Sequence, residues 1–266
     1  MVHTQMIRID SVAAPTPLSG DNTQGLFHLE EITIQPGNTE TFEAATGQRT
    51  LYLMEGLLKV YSAAKETWQL QAGDILHLPA TQPPIHYQNN ESTAARILQI
   101  FFATGTSPLN YLVKADEGDF LGVITDVGTI KLSTKDTQGA YLLMSWAVPP
   151  QSGVPIHAQE DQETFYILDG RFQFEGINQE GTHYELPATS GTVIHVPKRI
   201  PHAYKNVGDT AGHMLVLTTP AGRTEEFFRR FGYPVADANA FPTSFSLPEP
   251  AEMFKLFQEF NIQVFG

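Results

Sequence analysis

The 266-residue chain contains no cysteine. Disulfides, thiolate nucleophiles and thiolate metal ligands are therefore excluded, and any metal must be held by imidazole, carboxylate or amide groups. Positive charge is also scarce. Sixteen Lys and Arg stand against 29 Asp and Glu, a formal charge of −13. A phosphate-backbone partner needs a positive footprint, so nucleic acid is disfavoured, and so is docking on an anionic membrane. No apolar run approaches the roughly 20 residues of a membrane helix. The opening MVHTQMIRIDSVAAPTPLSG lacks the uninterrupted apolar region of a signal peptide. These absences lead to the expectation of a soluble, cytoplasmic protein. Helical periodicity is missing until about residue 224, which leaves an all-β body.

What is present is a series of short strands punctuated by Gly, Pro and Asn, and the series repeats. TLYLMEG from Thr50 matches TFYILDG from Thr164, and GDILHLP from Gly73 matches GTVIHVP from Gly191. An H-x-x-x-N follows in each half, His86 to Asn90 and His202 to Asn206. A repeat of this length is a duplicated domain and not a solenoid, whose units are far shorter. The reading assigns residues 1–24 to an N-terminal arm, 25–105 to a first barrel, 106–125 to a linker, 126–220 to a second barrel and 221–266 to a helical extension. In that extension TEEFFRRF forms a short helix capped by Thr224. A second helix follows, with Ser246 and Glu249 spaced as a capping box. Phe254, Phe257 and Phe260 fall at helical spacing, a stripe suited to covering a barrel.

The chemistry concentrates in the second half, in HAQEDQE from His157 to Glu163. Side chains alternate faces along a strand, so His157, Gln159 and Glu163 share one parity. Phe165 and Ile167 continue that face as apolar lining. A further donor comes from His202, which follows a turn bracketed by Pro197 and Pro201. Two imidazoles and a carboxylate suit a divalent transition ion. Glu160, Asp161 and Gln162 read as turn residues. His77 and His195 sit at equivalent positions just before a proline, which suggests a shared structural role. Lys198, Arg199 and Lys205 gather positive charge around His202.

The pattern G-V-P-I-H-A-Q-x3-E-x6-G, then G-x5-P-x3-P-H-x3-N, resembles the two motifs of the cupin superfamily. Its duplication resembles a bicupin of the type grouped with quercetin 2,3-dioxygenase. The resemblance covers roughly residues 25 to 235. It implies two tandem double-stranded β-helix (jelly-roll) barrels with short C-terminal helices. It places His157, Gln159, Glu163 and His202 on metal-ligand positions, for one divalent ion of Fe, Mn, Ni, Cu or Zn. Gln159 stands where the family usually has histidine, and a neutral amide is a weaker donor that favours harder ions. Aligned on Gly56 and Gly170, the first half offers Glu43, Ala45 and Arg49 in place of the ligands and keeps only His86. That half should bind no metal, and Arg49 is expected either to pair with Glu43 or to point into solvent beside it.

The resemblance further implies an O2-dependent dioxygenase acting on a flavonol-, phenol- or enol-like small molecule. Glu163 would be its catalytic base, and Trp146, Phe165, Ile167 and Tyr204 an apolar substrate wall. A non-catalytic small-molecule binding or sensing bicupin, or a cupin-type isomerase, remains the alternative. A homodimer is also open, with the Phe-rich C-terminal segment covering either its own barrel or a neighbour's.

Overall fold

The computed structural model describes residues 5–10, 18, 23, 25–43, 46–64, 66–79, 83–103, 110–242 and 249–265. The chain divides into two compact units. One comprises residues 11–118 with 136–140, and the other residues 1–10, 119–135 and 141–266. Each is a pair of antiparallel sheets closed over an apolar core.

In the first unit, a five-stranded sheet runs in the order Tyr111–Val113, Ile75–Leu78, Gln48–Glu55, Ala95–Phe102, His28–Ile34. It faces a four-stranded sheet of Thr39–Phe42, Ile85–Gln88, Leu57–Ser62 and Thr67–Gln71. Alternate residues point inward, as the pleat requires. Leu51, Leu53, Ile97 and Ile34 from one sheet meet Leu58, Val60 and Tyr87 from the other. In the second unit, an eight-stranded sheet includes Val193–Val196, Gln162–Asp169, Gly212–Thr219, Leu142–Val148 and Asp126–Leu132 in that order. Ile7–Ile9 adds to its outer edge by pairing with Val193–Val196. The opposing sheet contains Arg171–Ile177, His202–Asn206 and Gly153–Ala158, ending in the short strand Gln263–Val264. Of the expected arm and linker, residues 7–9, 111–113 and 119–123 are strand.

The sequence repeat corresponds to repeated hydrogen bonding. Gly56 and Gly170 occupy left-handed backbone, φ +87° and +90°, at the same tight turn in each unit. Thr50 Oγ1 lies 3.0 Å from His77 Nδ1, and Thr164 Oγ1 lies 2.8 Å from His195 Nδ1. The two histidines thus share a buried structural role. Asn89 Nδ2 donates to the Ile34 and Thr93 carbonyls, and Asn206 Nδ2 donates to those of Val148 and Thr210. The partner of Asn206 is therefore Asn89 and not Asn90, which shifts the pairing of the two halves by one residue.

The helices are α1, Thr224–Phe231, and α2, Pro250–Glu259. Arg223 and not Thr224 is the N-cap of α1, because the Thr224 hydroxyl is drawn to Asp161 Oδ2 at 2.6 Å. Glu249 precedes α2 without a side-chain cap bond, and Ser246 lies outside the described residues. Phe257 and Phe260 turn toward the barrel, while Phe254 is 62% exposed. Among the described residues no helix is long and apolar enough to cross a membrane.

Burial lowers the His77 pKa from 6.5 to about 4, against the weaker opposing pull of Asp136. A histidine that resists protonation only when folded contributes stability above pH 6.5 and loses it as the pH falls toward 4. The loss is bounded at about 3 kcal/mol. Urea unfolding followed from pH 7 to 4 should show this decline, and His77→Gln should flatten it; an unchanged slope in the variant would remove His77 as its source.

Candidate metal centre

The strand carrying His157 and the strand carrying His202 pair with the two histidines directly opposite each other. Gly153 permits this close approach, since a Cβ there would run into the Tyr204 carbonyl oxygen. A bulge between Val154 and His157 includes Pro155, whose nitrogen cannot donate to the ladder. Glu163 comes from the other sheet, opposite Val196 and Thr218. The turn before His202 is tied to the HAQEDQE segment by the Arg199 N–H, which donates to the Gln159 carbonyl at 2.7 Å. One ligand atom from each of His157, Glu163 and His202 lies within 4.8 Å of the others.

The orientation of both imidazoles is set from behind. His157 Nδ1 lies 3.0 Å from the Pro155 carbonyl oxygen, and His202 Nδ1 lies 2.8 Å from that of Ile200. A carbonyl can only accept, so each Nδ1 carries a proton and Nε2 of each ring is left facing the common centre. His202 Nε2 is 3.0 Å from Glu163 Oε2, with both side chains buried. A lone pair facing a carboxylate at that distance is repulsive unless a proton or a cation lies between them. Burial lowers His157 to about 4, reinforced by His202 and opposed by Glu163, so this ring is neutral at physiological pH. Burial alone would raise the Glu163 carboxyl. The bond and charge of His202, with His157 and the Gln159 amide, outweigh it and hold the pKa below its ordinary value. The Gln159 Nε2 atom is buried and makes no hydrogen bond of ordinary geometry. Two imidazoles with Nε2 turned inward, a carboxylate held below its ordinary pKa and an under-satisfied amide are a donor set that fits one divalent ion.

The centre opens into an apolar cavity of ≈ 120 Å3. Trp146, Phe165 and Tyr204 line it. Ile167 does not. It is fully buried in the core two residues beyond Phe165, on the same inward face but below the cavity floor. Other lining groups carried no sequence signal as a site: Phe227, Phe228 and Phe231 of α1, Phe257 of α2, and Ile262 and Val264 after it. Asp126 was also missed. It accepts hydrogen bonds from Tyr204 Oη at 2.9 Å, Ser152 Oγ at 2.6 Å and Thr125 Oγ1 at 3.2 Å. Burial raises its pKa, with the three hydroxyl donors opposing. Arg199 gives its charge to Glu160, both of whose oxygens lie 2.9 Å from Nε, so it does not line the cavity.

Among the described residues the first unit brings together no such centre, and the counterpart positions differ from the sequence alignment. Strand pairing makes Phe42, Arg49 and Ile85 the counterparts of His157, Glu163 and His202. His86 is the counterpart of Ala203, so it faces the other side of the strand and stacks on Tyr61 at 4.7 Å. Arg49 neither pairs with Glu43, which is exposed, nor points into solvent. It is buried over the Phe42 ring, with its Cζ 5.4 Å from the centroid, and it bonds to Tyr87.

A model of the cupin domain matches residues 144–218, which contain His157, Glu163 and His202. Solved structures extend the likeness over both units. The formate complex of Lactobacillus farciminis oxalate decarboxylase superposes with a TM-score of 0.60, covering 83% of each chain at 11% identity. An IolB-like protein from Salmonella typhimurium LT2 gives 0.64, over 81% of this chain and 92% of the other at 14% identity. The chain folds as two tandem cupin-type barrels, and the second contains the stretch that matches the cupin domain. Among curated relatives, quercetin 2,3-dioxygenase of Bacillus subtilis (strain 168) is 29% identical over 133 residues, or 50% of this chain and 37% of that protein. 3-hydroxyanthranilate 3,4-dioxygenase of Mus musculus is 29% identical over 66 residues, 25% of this chain and 23% of that protein. The matched stretches thus span well under half of either relative.

Removing the Tyr204 hydroxyl takes one donor from a buried carboxylate. Tyr204→Phe should cost about 1–2 kcal/mol in urea unfolding at pH 7. A variant as stable as the parent would mean that the Tyr204–Asp126 bond contributes nothing.

Proposed function

We propose that the second barrel of this bicupin holds one divalent transition ion through His157, Glu163 and His202, with Gln159 beside it, and serves an O2-dependent dioxygenase acting on a small phenol- or enol-like molecule. The reading is carried by the convergence of three donors at one end of an apolar cavity. When bound, such an ion polarises a substrate oxygen and opens the redox chemistry of O2 to it. The protein's own contribution follows from the side chains. Glu163, ionised and within reach of the cavity, accepts the proton of a substrate hydroxyl at a carboxylate oxygen. His202 Nε2 lies 3.0 Å from Glu163 Oε2, so the two side chains hold each other in place beside the cavity. Phe165, Trp146 and the α1 phenylalanines orient a planar apolar substrate and keep water away from the reacting face. Tyr204 contributes its ring, because its hydroxyl is committed to Asp126.

The same lining separates this reading from the oxalate decarboxylases whose fold it shares. Among the described residues lining the cavity there is no Lys or Arg to receive a dianion. A second reading, a small-molecule binding bicupin without turnover, is favoured by Gln159, whose neutral amide weakens the centre relative to a third imidazole.

Metal analysis of the purified protein should find about one equivalent of Fe, Mn, Ni, Cu or Zn per chain, lost in His157→Ala. Oxygen consumption by the metal-loaded protein over a panel of catechols, enols and flavonols should then be lost in the same variant. Full metal content with no oxygen uptake across the panel would favour the binding reading, and a metal-free parent would reject the centre.

A further inference from the structure

The cavity is small for a three-ring flavonol such as the quercetin of one curated relative. Its ≈ 120 Å3 lies well below the 300 Å3 or so at which drug-sized sites begin. At roughly 10–15 Å3 for each water-sized position, it has room for about ten such positions. That is the bulk of one substituted aromatic ring and not of three.

Part of the boundary comes from outside the barrel. Phe257, Ile262 and Val264, from the chain beyond the long barrel strands, line the cavity together with His157 and Glu163, and we refer to them as its roof. The segment is pinned along its length. Phe260 has two guanidinium groups over its ring, with Arg223 Cζ 4.4 Å and Arg230 Cζ 5.2 Å from the centroid. Arg230 holds the Glu259 carboxylate through two bonds, of 2.7 and 3.0 Å, and Arg223 donates to the Glu259 carbonyl at 2.8 Å. Beyond this clamp, Gln263 and Val264 pair with Ala158 and His157, and the Phe265 N–H donates to the Ile156 carbonyl at 2.9 Å. The strand that carries the first imidazole is therefore bordered by the segment that limits the space above it. Single surface ion pairs contribute little, but two cation–π contacts, a bidentate pair and a strand bridge on one short segment act together. They tie the segment down beside the cavity.

We infer that the C-terminal segment is the specificity determinant of this site: Phe257, Ile262 and Val264 restrict it to a neutral ligand of a single aromatic or enolic ring and exclude a fused or multi-ring flavonol. The inference rests on the functional reading above for the location of the site, and it adds the substrate class. Apolar walls without a cation select against carboxylates, and the roof selects against length.

The test is binding and not turnover. The full-length protein is titrated under argon with catechol, 2,3-dihydroxynaphthalene and quercetin, read by calorimetry and by quenching of Trp146 emission. Catechol should bind the parent at least roughly tenfold more tightly than quercetin. Phe257→Ala and, separately, Ile262→Ala should each move the quercetin-to-catechol ratio by about tenfold toward quercetin. Phe257 is only partly buried, and Ile262→Ala removes bulk at a second point of the roof, so the result does not hang on one fold-sensitive change. Equal affinity of the parent for catechol and quercetin, absence of saturable catechol binding, or an unchanged ratio in both variants would overturn the inference. Metal content is measured on the same samples. A shifted ratio in metal-free protein supports the roof while rejecting the metal centre, and a flat ratio in metal-loaded protein does the reverse.

Discussion

Two backbone carbonyls, those of Pro155 and Ile200, decide what the second barrel can do. By engaging Nδ1 of His157 and of His202, they fix which nitrogen of each ring presents its lone pair, and they aim both toward Glu163. The result is a concentration of Lewis bases in a low-dielectric enclosure. Positive charge, whether a proton or a metal ion, is what lets them coexist. The surrounding fold serves this arrangement. The bulge at Pro155 points His157 inward, the strand opposite supplies His202, and the second sheet delivers Glu163.

The two units show how little of a barrel need change for such a centre to vanish. Thr50–His77 and Thr164–His195 are the same bond, and Asn89 and Asn206 close the same loop in the same way. These polar bonds are internal to the scaffold and are kept in both halves. The three positions that face the cavity differ completely, with Phe42, Arg49 and Ile85 on one side and two imidazoles and a carboxylate on the other. In the first unit a guanidinium lies over an aromatic ring where a cation would otherwise need ligands, so the space is filled by a charge of the wrong sign for a metal.

Strand parity made much of this legible in advance. His157, Gln159 and Glu163 share a face because they are separated by even steps, and Phe165 follows them to the cavity wall. Parity failed where the chain is not regular. The proline-rich stretch before His86 changes the register by one residue, which turns His86 outward and puts Ile85 in the ligand position. Ile167 has the right parity but sits too far down the strand to reach the cavity. Asp126 and the roof were invisible for a different reason. Their importance comes from contacts over long sequence separation, Asp126 with Tyr204 and Val264 with His157, which no local pattern encodes. The phenylalanines of the C-terminal segment were read as a cover for the barrel, and Phe257 proves to cover the site itself.

The short strand Ile7–Ile9 completes the outer edge of the second unit's large sheet, beside Val193–Val196. Glu163 lies opposite Val196 on the other side of that strand. The unit that carries the centre is therefore discontinuous in sequence, drawing one of its strands from the beginning of the chain. A fragment cut to begin after the first unit would leave Val193–Val196 as a bare, wholly buried-type edge of Val, Ile, His and Val, with open N–H and C=O groups one strand away from Glu163. Such an edge recruits other chains, so autonomy of the unit with the candidate centre depends on residues that precede the other unit.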